Sequence, residues 1–102
     1  MQKQMNSMNN VVLSEMLKNQ SKPKRGKYQV ILHDDNKTTF DHVVDCLMDV
    51  CSHNGFQAYQ CALIVHNSGK CSIFIDSYDE CELVYEYLLK LYLNVTLEKF
   101  KK

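Results

Sequence analysis

The sequence predicts an α+β fold: a three-stranded antiparallel sheet with three helices packed on one face (β-α-α-β-α-β), behind a flexible N-terminal tail. Two stretches, beginning at Tyr28 and at Cys71, alternate apolar and polar residues at the period of a strand, and a third short run, Val95 to Phe100, follows the last helix. Three further stretches place apolar residues at helical spacing, two after the first strand and one after the second. Turn-forming clusters of Asp, Asn, Ser and Gly punctuate the rest. An amphipathic helix and a short sheet each have one apolar face to bury, so the economical arrangement packs the helices on one side of the sheet.

The chain starts with polar, Asn- and Gln-rich sequence, MQKQMNSMNN, which has no usable period. Val11 to Lys18 (VVLSEMLK) could form one or two helical turns, too few to be stable alone. SKPKRGK, residues 21–27, holds the only proline and four basic residues, the composition of a solvated linker. Residues 1–26 are therefore expected to be an extension and residues 27–102 the folded domain. A frayed terminus suits the extension's composition.

Tyr28, Val30 and Leu32 alternate with Gln29, Ile31 and His33 as the first strand. Asp34-Asp35-Asn36 breaks it, because short carboxylate and amide side chains hydrogen-bond their own backbone in turns. Thr38 and Asp41 form a capping-box-like pair, so a helix is expected from there. Two carboxylates, an amide and a hydroxyl thus crowd together where a strand hands over to a helix. Such a loop is either a well-made turn and cap or a collector of hydrogen bonds from a cation.

Phe40, Val43, Val44, Leu47 and Cys51 share one face of the first helix. Ser52-His53-Asn54-Gly55 should end it, with Gly55 as a left-handed cap. The second helix is expected from Phe56 to His66, with Phe56, Tyr59, Leu63 and His66 on one strip and Ala62 and Val65 beside it. Asn67-Ser68-Gly69 turns the chain into the second strand, where Cys71, Ile73 and Ile75 alternate with Ser72, Phe74 and Asp76. After a break at Asp76 to Asp79, Cys81, Val84, Tyr85, Leu88, Leu91 and Tyr92 mark the third helix, which Asn94 closes.

The totals narrow the function. A chain of 102 residues holds one small core, and a hydrophobic share of 45% is that of a globular domain. Twelve basic and twelve acidic residues cancel, which argues against a nucleic-acid or anionic-membrane binder. No apolar run approaches the ~20 residues that span a bilayer, and residues 1–20 lack the pattern of a signal peptide. A cytoplasmic location is expected. The five cysteines are an odd number and are expected reduced and packed as small hydrophobes. Four of them recur every ten residues, but there is no CxxC pair and the recurrence crosses different elements, so zinc is not expected. No cysteine sits beside a base in a nucleophile elbow, and the histidines at 33, 42, 53 and 66 have no HExxH spacing. The sequence does not look like that of an enzyme.

Three runs, YQVILHDDNKTTFDHVVDCL, ALIVHNSGKCSIF and TLEKF, together resemble the ClpS adaptor family, small bacterial and plastid proteins that hand N-degron substrates to a Clp ATPase–protease. The family's usual pattern is L-x-N-D-D-x-T-P/T-M/F-x-x-V, then V-H-x-x-G-K, then L-E-K. Here those positions are Leu32, Asp34, Asp35, Asn36, Thr38, Thr39, Phe40 and Val43, then Val65-His66 and Gly69-Lys70, then Leu97-Glu98-Lys99. The resemblance spans about residues 27–100 in order. It departs at Asp34 and Asn36, where the family has Asn and Asp, at Ala62, often a methionine, and at Val84, a basic residue in some members.

The resemblance implies an α+β fold akin to the C-terminal domain of the ribosomal stalk protein, and a pocket for a peptide's free N-terminus. Asp34, Asp35, Asn36, Thr38 and His66 would surround the α-amino group, because a cation with several donors needs acceptors. Phe40, Val43, Ala62, Val65 and Leu93 would wall a cavity for one bulky side chain such as Phe, Tyr, Trp or Leu. The implied partners are N-degron peptides and proteins and the N-terminal domain of a Clp AAA+ ATPase, with no nucleic acid, membrane, cofactor or metal. The alternative from another class is a ribosomal-stalk-like interaction domain that recruits a protein factor through a helix face.

Overall fold

The computed structural model describes residues 24–101. Of the extension expected over residues 1–26, only Lys24 to Gly26 fall within that range, and the helical turns expected over 11–18 lie outside it. The elements are β1 (Tyr28–His33), α1 (Phe40–Val50), α2 (Gly55–Ser68), β2 (Lys70–Asp76), α3 (Tyr78–Lys90) and β3 (Val95–Lys99). All three strands are antiparallel, with β1 in the middle of the order β2-β1-β3. The three helices pack on one face of this sheet.

Val30 and Leu32 of the central strand are completely buried, and with Leu47, Ile73, Cys81 and Leu88 they form the centre of the core. Tyr28 pairs with Asp76 on one side and Lys99 on the other, and Leu32 pairs with Cys71 and Val95. A bulge between Val30 and Ile31 shifts the β1–β2 register.

The helix ends are where the structure corrects the sequence reading. Thr39, not Thr38, is the cap of α1: it has extended backbone and its hydroxyl accepts the His42 N–H at 3.1 Å. The turn takes one residue more, because the Asp35 carboxylate accepts the Lys37 N–H at 2.8 Å and so holds Lys37 and Thr38 outside the helix. Gly55 is not a left-handed cap. The positive φ belongs to Ser52, at 59°, and Gly55 is the first residue of α2. Asn54 and Gln57 satisfy each other's backbone N–H in a capping box, at 2.8 and 3.1 Å, which starts α2 one residue earlier than expected.

The face of α2 also differs. Its buried residues are Ala58, Ala62 and Val65, while Phe56 and Tyr59 stand 74% and 49% exposed. Small side chains let α2 approach the sheet closely, so the aromatic strip is turned outward. Asn67 and Ser68 remain helical, and the reversal falls on Gly69 alone, at φ 94°. Tyr92 is likewise not on the buried face of α3. It follows the helix, at φ 68° and 86% exposed. Its N–H donates to the Leu89 carbonyl at 3.0 Å and that of Leu93 to the Leu88 carbonyl at 3.1 Å, a Schellman motif with tyrosine in the left-handed position.

Burial raises the thiols. That of Cys51 is pushed up to about 12 by burial and then by the neighbouring Cys61. Cys71 also rises to about 12, through burial and a contact with Cys61. Three of the cysteines spaced ten apart, Cys51 just after α1, Cys61 on α2 and Cys71 on β2, are therefore neighbours although their elements differ. Protonated thiols are poor nucleophiles.

Candidate functional site

The end of β1 is held from both sides by backbone hydrogen bonds. His33 N–H donates to the Asn94 carbonyl and Asp34 N–H to the Gly69 carbonyl, each at 2.8 Å. Gly69 in turn donates its N–H to the Val65 carbonyl at 2.9 Å, closing α2. The left-handed glycine thereby sets the last turn of α2, which carries His66, beside the Asp34 loop. On the other side, the Schellman motif after α3 folds Leu93 back to 4% exposure and brings Asn94 onto β1. His42 on α1 adds a tie, its ring Nε2–H donating to the Leu91 carbonyl at 2.8 Å.

These connections enclose a cavity of about 500 Å³, within the range that holds a small ligand. All ten residues singled out in the sequence line it. Asp34, Asp35, Asn36 and Thr38 come from the β1–α1 loop, Phe40 and Val43 from α1, Ala62, Val65 and His66 from α2, and Leu93 from the turn after α3. Leu32, His33 and Asn94 line it as well. Leu32 and His33 are the strand residues just before the acidic loop, a position that could have suggested them. Asn94 gives no local signal, because only its backbone bond to β1 brings it there.

The cavity has two chemical ends. One is polar: two carboxylates, an amide and an imidazole from chain segments distant in sequence, Asp35 and His66 being thirty-one residues apart. Asp35 spends one acceptor site on Lys37 and keeps others, since an ionised carboxylate accepts about four hydrogen bonds. The exposed Asp34, Asn36 and His66 reach solvent at the rim. The other end is apolar, walled by Phe40, Val43, Ala62, Val65 and Leu93. Ala62 is 3% exposed yet stands apart from the contiguous core cluster that includes Ala58 and Val65, so its methyl group serves the cavity wall. His33 is tied to Thr96, its Nε2 and the hydroxyl oxygen hydrogen-bonded at 2.9 Å.

Such a site can accept a cation with several donors while burying an apolar group a few ångströms away. Among the described residues no three metal-ligating side chains converge on a common point, and no helix is long and apolar enough to cross a membrane.

Comparison with known proteins bears on the same residues. No curated protein matches the chain in sequence. Among solved structures, that of Agrobacterium tumefaciens ClpS2 bound to L-phenylalaninamide matches with a TM-score of 0.67 and 20% identity, covering 71% of this chain and 94% of that one. At that identity the likeness establishes the fold. The family model for the ATP-dependent Clp protease adaptor protein ClpS matches residues 23–92, most of the described chain and every cavity residue except Leu93 and Asn94. The chain belongs to the ClpS family.

Proposed function

We propose that this protein is a non-enzymatic adaptor that binds the free N-terminus of N-degron substrates and delivers them to a Clp AAA+ unfoldase–protease, which it engages through the ATPase's N-terminal domain. The observation that carries the reading is the two-ended cavity: acceptors at the rim and an apolar wall directly behind them. In this reading Asp34, Asp35 and His66 accept from the peptide ammonium, while Asn36 and Thr38 orient the loop or meet the peptide backbone. Phe40, Val43, Ala62, Val65 and Leu93 enclose the first side chain. The ligand of the similar ClpS2 structure, L-phenylalaninamide, carries a free amine beside a benzyl group, the same pairing of chemistries.

Size and shape set the preference. Ala62 leaves depth for an aromatic ring, and the cavity accepts Phe, Tyr, Trp and Leu. β-branched Ile and Val are disfavoured, because their bulk at Cβ is rigid and sits close to the peptide backbone. The peptide gains roughly 1.5–3 kcal/mol from the buried side chain and about 1.5–3 kcal/mol from each hydrogen bond to its charged amine. Association consumes several kcal/mol of that sum, so micromolar or somewhat tighter binding is expected. Residues 1–26 serve as the arm that engages the ATPase during delivery.

The test is a fluorescence-anisotropy titration with peptides differing only in the first residue. Phe, Tyr, Trp and Leu peptides should bind, with Ile and Val peptides at least ~10-fold weaker. Equal affinity across the panel, or none at all, would refute the pocket assignment.

A further inference from the structure

Phe40 belongs to the cavity wall and also to a second feature. Its ring meets that of Tyr59 edge to face, with centroids 5.3 Å apart and planes at 69°. Tyr59 precedes Ala62 by three residues and His66 by seven, so it continues along α2 the strip that borders the cavity. Phe56 lies three residues earlier on that strip. Tyr59 is 49% and Phe56 74% exposed, although α2 has a buried face made of small residues. Single exposed apolar side chains need no explanation. Two aromatic rings in solvent, joined to a ligand-sized cavity by a third, are a different case.

We propose that Phe56, Tyr59 and the outer edge of Phe40 form a ledge that receives the third side chain of a bound peptide and favours large apolar residues there. This rests on the reading of the cavity as a site for a peptide's first residue. Register follows from dimensions. Tyr59 lies seven residues from His66, about 10 Å along the helix at 1.5 Å per residue. An extended peptide advances about 3.3 Å per residue with side chains on alternate sides. The first and third side chains therefore point the same way, and the second faces solvent. With the amino group at the acidic loop and His66, the third Cα lies about 6.6 Å beyond the first, and only a large third side chain covers the remaining few ångströms to Tyr59, with Phe56 one turn beyond.

The continuity with the cavity, through Phe40, favours a peptide as the occupant. A second copy of the chain would require a patch of roughly 800 Å² on each partner, whereas these two exposed rings offer about half that at most.

The experiment titrates the full-length protein with labelled Phe-Gly-Gly, Phe-Gly-Trp and Phe-Trp-Gly peptides of equal length, each with a free and an acetylated amine. Phe-Gly-Trp should bind at least roughly fivefold tighter than Phe-Gly-Gly, with Phe-Trp-Gly within about twofold of it. In the Phe56→Ala/Tyr59→Ala double variant, shown folded by circular dichroism, the ratio between Phe-Gly-Trp and Phe-Gly-Gly should fall to about one. A wild-type ratio near one, while Phe-Gly-Gly still depends on its free amine, would overturn the ledge and leave the N-terminus reading standing. A preference at the second residue instead of the third, or a ratio that survives the double variant, also overturns it. So does a dimer in sedimentation that Tyr59→Ala dissolves. Loss of amine dependence in all three peptides would overturn both.

Discussion

At Ala62 a single methyl group faces the cavity, and adding three heavy atoms there fills space that a substrate ring would occupy. Ala62→Met should weaken Trp peptides more than Leu peptides, overpacking costing on the order of 1–3 kcal/mol. An unchanged Trp-to-Leu affinity ratio would remove Ala62 from the wall. Asp35 has two tasks, since its carboxylate also accepts the Lys37 N–H. Asp35→Asn keeps an oxygen for Lys37 and removes the charge, so it should cost about 1.5–3 kcal/mol of binding with little loss of stability. His66→Ala, at an exposed position, should weaken binding and spare the fold as well; calorimetric titration beside thermal melting separates the two effects. The grouping of these residues was legible because three motifs stand in register along the chain. Thr38 and Thr39 were not separable by sequence, since the capping threonine is decided by how many residues the Asp35 turn consumes.

The elements are positioned by their ends, and two left-handed residues do most of it. Gly69 at φ 94° connects α2 to the acidic loop through its carbonyl. Gly69→Ala meets open space around the added carbon but forces alanine into the left-handed region, at a cost of about 1–2 kcal/mol. Peptide affinity should fall with stability, because Asp34 and His66 are set by the same link. Tyr92 is the opposite case, a tyrosine where a helix C-terminus normally prefers glycine. Tyr92→Gly removes the strain and adds unfolded-state entropy, for a net gain of about 0.5–1 kcal/mol in chemical denaturation. Helix existence and order were legible from periodicity. The outward turn of Phe56, Tyr59 and Tyr92 was not, because periodicity marks a strip of large apolar residues without saying whether core or cavity claims it.

For the whole molecule, the core's thiols give a pH signature. Cys51 and Cys71 are raised by burial from near 9.0 to about 12, so their protonated form is favoured by folding. Their contribution is complete below pH ~9 and is lost as pH rises towards 12, the unfolded chain releasing protons first. Urea stability should therefore fall between pH 9 and 11, and Cys51→Ala should flatten that fall while lowering stability at pH 7. The extension gives a second prediction at this scale. Deleting residues 1–22, all outside the described fold, should leave peptide affinity nearly unchanged while abolishing accelerated degradation of an N-degron substrate by the Clp protease. The order of elements and the antiparallel sheet were legible throughout, whereas the central place of β1 depends on pairings between distant segments. The central claim is that the acidic loop and His66 hold a peptide's charged amine. Its most direct measurement compares one Phe-initiated peptide with the same peptide acetylated at its N-terminus. Acetylation removes the charge and two donors, and affinity should fall at least ~100-fold, as when a site built for a polar group loses its mate. An acetylated peptide that binds as tightly as the free amine would contradict the account.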